Sequence, residues 1–176
     1  MLYWVNMSAV LSKPDIQEMI KAQPPLVEGY LDLNVQLQPN GIDVTIRDIA
    51  IPDSPGTIAV DNANRKLSTL NNLEFNSQGY TDLVPGPYLI TLNEIVNLPT
   101  NVMALARPRS SLLRCGVTIE TAVWDAGYSG RSQALLVVHN PSGFRLQKNA
   151  RVLQLVFLRL TGETEAYHGK YQRENI

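Results

Sequence analysis

The segment "VTIETAVWDAGYSGRSQALLVVH", residues 117–139, carries the grammar of the whole chain in miniature. Two β-type runs, 117–123 "VTIETAV" and 133–139 "QALLVVH", flank a turn-rich centre, "DAGYSG". Glycine, serine and aspartate at such a centre favour turns over regular elements. The same alternation recurs on both sides. Further β-type runs are 42–46 "IDVTI", 57–60 "TIAV", 88–92 "YLITL", 102–106 "VMALA" and 151–160 "RVLQLVFLRL". Their separators include "PDSPG", "VPGP", "LPTN", "NPSG" and "QKN". Many short strands at this spacing predict an all-β (mainly β) barrel, sandwich or roll.

One helix is predicted, over residues 12–22. Ser12 is its N-cap, Pro14 sits in the first turn, and Asp15 stands where a capping-box acid belongs. Ile16, Met19 and Ile20 supply helical spacing, and "QPP" at 23–25 ends it. Residues 61–82 are polar and read as a loop or irregular hairpin. The tail 161–176, "TGETEAYHGKYQRENI", is polar and lacks a core pattern, so it is either frayed or ordered only by a ligand or neighbour. The 176 residues suit a single domain, 1–176, with residues 1–11 as an N-terminal extension. Met7 offers an alternative start, which would make residues 1–6 the extension.

No apolar run reaches the ~20 residues of a membrane-spanning helix, and no membrane partner is expected. The N-terminus has no basic region followed by a long apolar one, so no signal peptide is read there. A single cysteine, Cys115, excludes an intramolecular disulfide framework and fits a reducing, cytoplasmic setting. With one Cys and two His, His139 and His168, the usual Cys/His zinc site is not expected, and Cys115 and His139 read as structural.

Net charge is −1, but it is unevenly placed. Residues 1–106 hold 5 basic and 11 acidic side chains, whereas 107–160 hold 8 basic and 2 acidic ones. Either these are scattered surface charges or an anionic ligand binds the second segment. There is no basic run and there are few aromatics, which argues against nucleic acid.

Within that segment, "RPRSSLLRCG" at 107–116 gathers Arg109, Ser110, Ser111 and Arg114. Guanidinium forks and hydroxyls suit phosphate oxygens. A short helix nucleated by Leu112 and Leu113 would add free N–H groups; the alternative is a simple capped turn. Asp125 is either a general base for a water or an aspartate bonding its own turn. Tyr128 either stacks on a sugar or base or packs at a strand end. Asp43, in "PNGIDVTI", either helps to hold a hydrated Mg²⁺ or caps a strand. There is no Ser-His-Asp constellation and no P-loop.

In order, "NGIDVTI", "PRSSLLRCGV", "TAVWDAGYSG" and "ARVLQLVF" resemble the dUTPase/dCTP deaminase superfamily. Within it, the archaeal dUTP diphosphatases with a deaminase-like sequence are the nearest resemblance. "PGPYLITLNEIVNLPTNV" at 85–102 is similar to the deaminase branch. The resemblance implies a dUTPase-like β-clip or distorted barrel and a homotrimer with active sites at subunit interfaces. It also implies Mg²⁺-assisted attack of water on the α-phosphorus of dUTP, giving dUMP and pyrophosphate. By resemblance, Arg109 and Ser110 match the phosphate-binding Arg-Ser pair, and Ser111 stands where deaminases have Ser and dUTPases Gly. Arg114 matches a phosphate-contacting arginine of the deaminase branch, and Gln154 a glutamine that helps to hold the phosphates. Asp125 matches the aspartate that activates water. Tyr128 matches the tyrosine that stacks under the deoxyribose and excludes a 2′-hydroxyl. Asp43 matches a first-motif aspartate near metal or structural water.

Two departures weigh on the activity. A dCTP deaminase, or a bifunctional deaminase/diphosphatase, needs a carboxylate on the strand after the turn. Here "RSQALLVVHN" contains none, and Gln133 is an amide that cannot act as a base. Glu120, on the preceding run, is the one other carboxylate of the basic segment. The tail "AYHGKYQ" at 166–172 instead follows the deaminase branch, making Tyr167, Lys170 and Gln172 candidates for a lid over base and phosphates. A non-catalytic nucleotide-binding protein on the same fold would have no need of Asp125, and a purely structural β-roll no need of the whole cluster.

Overall fold

The longest strand organises the molecule. In the computed structural model, which describes residues 9–176, the run predicted at 42–46 extends to twelve residues, β3 (Gly41–Pro52). Residues 41–46 of it are all buried, as expected of a strand covered on both faces. Before β3 come α1 (Lys13–Ile20), β1 (Val27–Glu28), α2 (Leu33–Gln36) and β2 (Leu37–Gln38). After it come a 3₁₀ turn (Asn62–Asn64), β4 (Leu70–Leu73), β5 (Tyr80–Leu83), β6 (Gly86–Leu92), β7 (Ile95–Asn97) and β8 (Val102–Pro108). The chain continues through α3 (Ser110–Arg114), β9 (Val117–Glu120), β10 (Ser129–Gly130), β11 (Gln133–Val138), β12 (Phe144–Gln147) and β13 (Arg151–Arg159).

The main sheet runs β8-β13-β3-β6-β11-β9, with β2 and β4 also paired to β3. β3 serves β13 with its first half and β6 with its second, and the register shifts between Ile46 and Asp48. Such a shift bends the strand and turns a sheet towards closure. Closure is nearly completed at the ends of the path. Beyond β9, Trp124 exchanges both main-chain hydrogen bonds with Ala104 of β8, at 2.9 and 3.1 Å. The result is a mainly β, distorted barrel, one of the architectures the alternating runs allow and the one the resemblance implies. Its core includes Ile42, Val44, Ile46, Ile90, Leu136 and Phe157, all buried. A small sheet, β1-β7-β10, carries the turn after Trp124, and β5-β12 forms a separate ribbon.

Several expectations are corrected. Residues 57–60 form no strand: Thr57 makes one bridge to Lys66, while Ile58 and Val60 stand exposed with no sheet to cover them. The run 117–123 ends at Glu120, because the chain leaves β11 to reach Ala104. The stretch 61–82 is not wholly irregular, since β4 pairs with β3 and β5 with β12. The helix is shorter than 12–22, but its cap is as read: Asp15 accepts from the Ser12 backbone N–H at 2.9 Å. The extension predicted over 1–11 lies outside the described residues as far as residue 8, as does the Met7 alternative. Its last residue belongs to the core: Leu11 is fully buried and donates its N–H to the Phe157 carbonyl.

One buried carboxylate ties the small elements to the barrel. Glu94 accepts from Gln36 Nε2 (2.7 Å), Thr45 Oγ1 (2.8 Å) and the Thr45 backbone N–H (2.9 Å). Burial pushes its carboxyl above the usual range, and these hydrogen bonds pull against that shift.

Candidate active site

The basic end of the site is built where β8 runs into α3. Arg109 is the N-cap of α3, and its backbone N–H donates to the Val152 carbonyl at 3.0 Å. Its side chain turns back over β3: Arg109 Nε lies 2.9 Å from Asp43 Oδ2. Arg151 reaches the same oxygen at 3.1 Å and donates to the Val35 carbonyl at 2.8 Å. Asp43 is 4% exposed, the two arginines about a third. Burial raises the Asp43 carboxyl, and Arg109 and then Arg151 oppose this. Asp43 is therefore an acceptor for two guanidinium groups, a role the metal-side reading did not include.

Ser110, Ser111 and Arg114 are exposed, and their side chains make no hydrogen bond or ion pair within the described residues. The short helix expected around Leu112 is present, with Leu112 buried as its anchor. Gln154 is paired in register with Asp43 on one side and Arg107 on the other, which puts it at the same end of the barrel. A Cβ on Gly41 would fall 2.3 Å from the Leu155 carbonyl and 3.0 Å from Gln154 Nε2, so the strand approaches that closely only with glycine there.

The acidic end forms around the turn Asp125–Tyr128, closed by the Tyr128 N–H on the Asp125 carbonyl at 3.1 Å. The bridge to Ala104 fixes Trp124, and Trp124 Nε1 donates to Ser132 Oγ at 2.6 Å. Asp125 is exposed, and among the described residues its carboxylate has no hydrogen-bond or ion-pair partner, its own turn included. It lines a pocket together with Tyr128, Ser132, Gln133, Tyr167 and Glu174. Tyr128 is buried. Burial lifts its hydroxyl well above the ordinary tyrosine range.

The tail, read from the sequence as frayed or as ordered only by a ligand or neighbour, is bonded in the structure to its own chain. It lies across the 126–131 turn of its own chain. Tyr167 N–H donates to the Ala126 carbonyl, and Gln172 bonds the Ser129 N–H and the Gly127 carbonyl, each at 2.9 Å. The Tyr167 ring meets Tyr128 edge-on, with centroids 5.8 Å apart. This explains the glycine before Tyr128: Gly127 has φ +79°, and a Cβ there would sit 2.5 Å from Ala166 Cβ. Lys170 is exposed, over the face of Tyr171.

The structure thus brings together Asp125, Tyr128, Tyr167 and Gln172. It groups Arg109, Gln154 and Asp43 elsewhere. Neither Arg109, Ser110, Ser111, Arg114 nor Gln154 lines the pocket around Asp125. Sequence reasoning missed Glu174, Ser132 and Arg151. Ser132 and Trp124 flank the turn symmetrically enough to have been paired. Glu174 carried no signal, because the tail has no hydrophobic period to orient it. Among the described residues there is no cluster of three or more His, Cys, Asp or Glu that would cage a metal.

A family model described as dCTP deaminase-like matches residues 10–160. A probable deoxyuridine 5′-triphosphate nucleotidohydrolase of Methanococcoides burtonii is 52% identical over 95% of this chain and 99% of its own length. One of the same description from Archaeoglobus fulgidus is 47% identical over 96% and 98%. The crystal structure of 2′-deoxycytidine 5′-triphosphate deaminase from Agrobacterium tumefaciens superposes with a TM-score of 0.66 at 23% identity, covering 87% of this chain and 48% of that one. That likeness carries the fold alone. The barrel, the ordered motifs and these relatives converge: the chain belongs to the dCTP deaminase-like family.

Proposed function

We propose that this protein is a dUTP diphosphatase, a hydrolase that cleaves dUTP into dUMP and pyrophosphate. The observation that carries the reading is the Asp125 carboxylate, exposed, without a partner among the described residues and lining the same pocket as Tyr128. Relatives near half identity over almost their full length, described as probable dUTP nucleotidohydrolases, support the same substrate.

Asp125 would take a proton from a water, whose oxygen then bonds to the α-phosphorus. The bond to the bridging oxygen breaks, and pyrophosphate leaves with that oxygen and the electron pair. Tyr128 would pack against the deoxyribose, with Tyr167, Lys170 and Gln172 covering the nucleotide from the tail. Arg109, Ser110, Ser111, Arg114 and Gln154 would hold the phosphates. Bound Mg²⁺ would neutralise phosphate charge, and Asp43 would act chiefly by holding Arg109 in place.

This division of labour calls for more than one subunit. The phosphate group and the Asp125 pocket are separately placed on one chain, and Leu105, Leu113 and Val123 expose apolar side chains near the barrel closure. A homotrimer with sites at its interfaces would unite the two groups and cover those side chains. Sedimentation at several protein concentrations tests it. A cytoplasmic setting, with no nucleic acid or membrane partner, goes with this reading; among the described residues no helix is long and apolar enough to cross a membrane.

The family description raises dCTP deamination as the rival. β11 offers Gln133 to the pocket and has no carboxylate of its own, which favours hydrolysis. Protein and Mg²⁺ are incubated with dUTP and with dCTP separately, and pyrophosphate and ammonia are assayed. Pyrophosphate from dUTP without ammonia from dCTP is expected. Ammonia from dCTP, or no pyrophosphate from dUTP, refutes the reading.

A further inference from the structure

Four side chains form one hydrogen-bonded line from the barrel closure to the C-terminal segment. Trp124 Nε1 donates to Ser132 Oγ at 2.6 Å, Ser132 Oγ and Tyr128 Oη lie 2.9 Å apart, and Tyr128 O–H donates to Glu174 Oε1 at 2.9 Å. An ionised carboxylate only accepts. Tyr128 therefore directs its single proton to Glu174, Ser132 donates to Tyr128, and the remaining Ser132 lone pair receives Trp124. Glu174 sets the polarity of the whole line, and it is the one member from outside residues 124–132.

The backbone locks this carboxylate in place. Arg131 N–H donates to the Glu174 carbonyl at 2.9 Å, and Arg173 N–H to the Ser129 carbonyl at 2.6 Å. A Cβ on Gly130 would fall 2.5 Å from Tyr128 Oη and 3.3 Å from Glu174 Cγ, so that position admits ring and carboxylate only as glycine. Trp124, Tyr128 and Glu174 all line the pocket of Asp125.

We propose that Glu174 is a positioning residue for the nucleoside end of the site. Through the Tyr128 hydroxyl it fixes the ring that faces the sugar, so docking of the C-terminal segment and shaping of the sugar pocket are one event. The role in turnover rests on the dUTP reading above; the contact itself does not.

Glu174→Ala, Glu174→Gln and Tyr128→Phe are compared with wild type in initial-rate assays with dUTP and UTP. Loss of a charge-assisted bond in Glu174→Ala is expected to raise KM for dUTP about ten-fold or more, with kcat changed by less than about three-fold. Preference for dUTP over UTP falls with it, since the ring is no longer held against a 2′-hydroxyl. Glu174→Gln keeps an acceptor oxygen at the same reach and restores most of the loss. Adding Glu174→Ala to Tyr128→Phe has little further effect, because both remove one bond. Unchanged KM and unchanged dUTP preference in Glu174→Ala overturn the proposal. Hydrogen exchange of the 126–131 amides without nucleotide gives the independent arm: faster exchange in Glu174→Ala is expected, and equal protection overturns it. That arm holds even where wild type releases no pyrophosphate from dUTP, a result that removes the substrate reading and not the contact.

Discussion

Asp43→Asn separates two roles for the same carboxylate. In the structure, one nearly buried oxygen accepts from both Arg109 and Arg151, at 2.9 and 3.1 Å. Asparagine keeps the volume and one acceptor oxygen but removes the charge. Breaking a fully buried pair costs about 3–5 kcal/mol. The two arginines are 31% and 29% exposed, so water recovers part of that. A loss of about 1–3 kcal/mol remains, near the value of a hydrogen bond to a charged group. Urea unfolding at fixed protomer concentration reads it as a lower midpoint with an unchanged slope. The functional consequence follows from Arg109, whose guanidinium loses its anchor. Pyrophosphate binding, measured by calorimetry in EDTA, weakens in the variant. A midpoint within error of wild type refutes the ion-pair account. Pyrophosphate affinity that is unchanged in EDTA and weakened only with Mg²⁺ returns Asp43 to the metal.

Asp125→Asn removes the base and leaves the phosphate cradle, so turnover of dUTP falls by at least about a hundred-fold while a non-hydrolysable analogue still binds; a rate near wild type sinks the assignment. Glu94 has its carboxyl raised above the ordinary 4.5 by burial. The native state therefore holds its proton more tightly than the unfolded chain, a stabilisation fully present below the unfolded value and lost as pH rises through the raised native one. Glu94→Gln should flatten the fall of the urea midpoint as pH rises above 4.5, and an identical slope in both proteins contradicts it. Gly127→Ala forces a Cβ to 2.5 Å from Ala166 at φ +79°, so the tail should undock and residues 166–175 become sensitive to brief proteolysis; an unchanged digestion pattern is the contrary result.

The barrel was legible because its strands bury what their sequences offer. β11 alternates buried and half-buried residues from Gln133 to Val138, and β13 contains the apolar run that pairs on both sides. Residues 57–60 misled for the complementary reason: the composition is β-like, but strand preference reflects packing against neighbours, and Ile58 and Val60 have none. β4 and β5 were hidden because their pairing is long-range, and no local pattern reports a partner such as Ile49 for Leu73. In the candidate site, residue chemistry nominated the cast: arginine and serine for the proposed phosphate, one aspartate, one tyrosine. It did not give their contacts. Nothing in "NGIDVTI" says that Asp43 faces Arg151, 108 positions away. Nor does a polar tail reveal that Glu174 completes a bond to Tyr128.

The place of β13 in the sheet has a consequence for synthesis. It is the last of the described strands in chain order, yet it lies between β8 and β3. Until Arg151–Arg159 leaves the ribosome, both of those neighbours carry unpaired main-chain groups along the sides it will fill. A chain stopped before that point cannot close the barrel and presents two open strands to any neighbour able to pair with them. Translation must thus pass Arg159 before a stable core exists. Chains broken before Arg151 should be recovered as aggregates or degradation products, with no partly active enzyme among them.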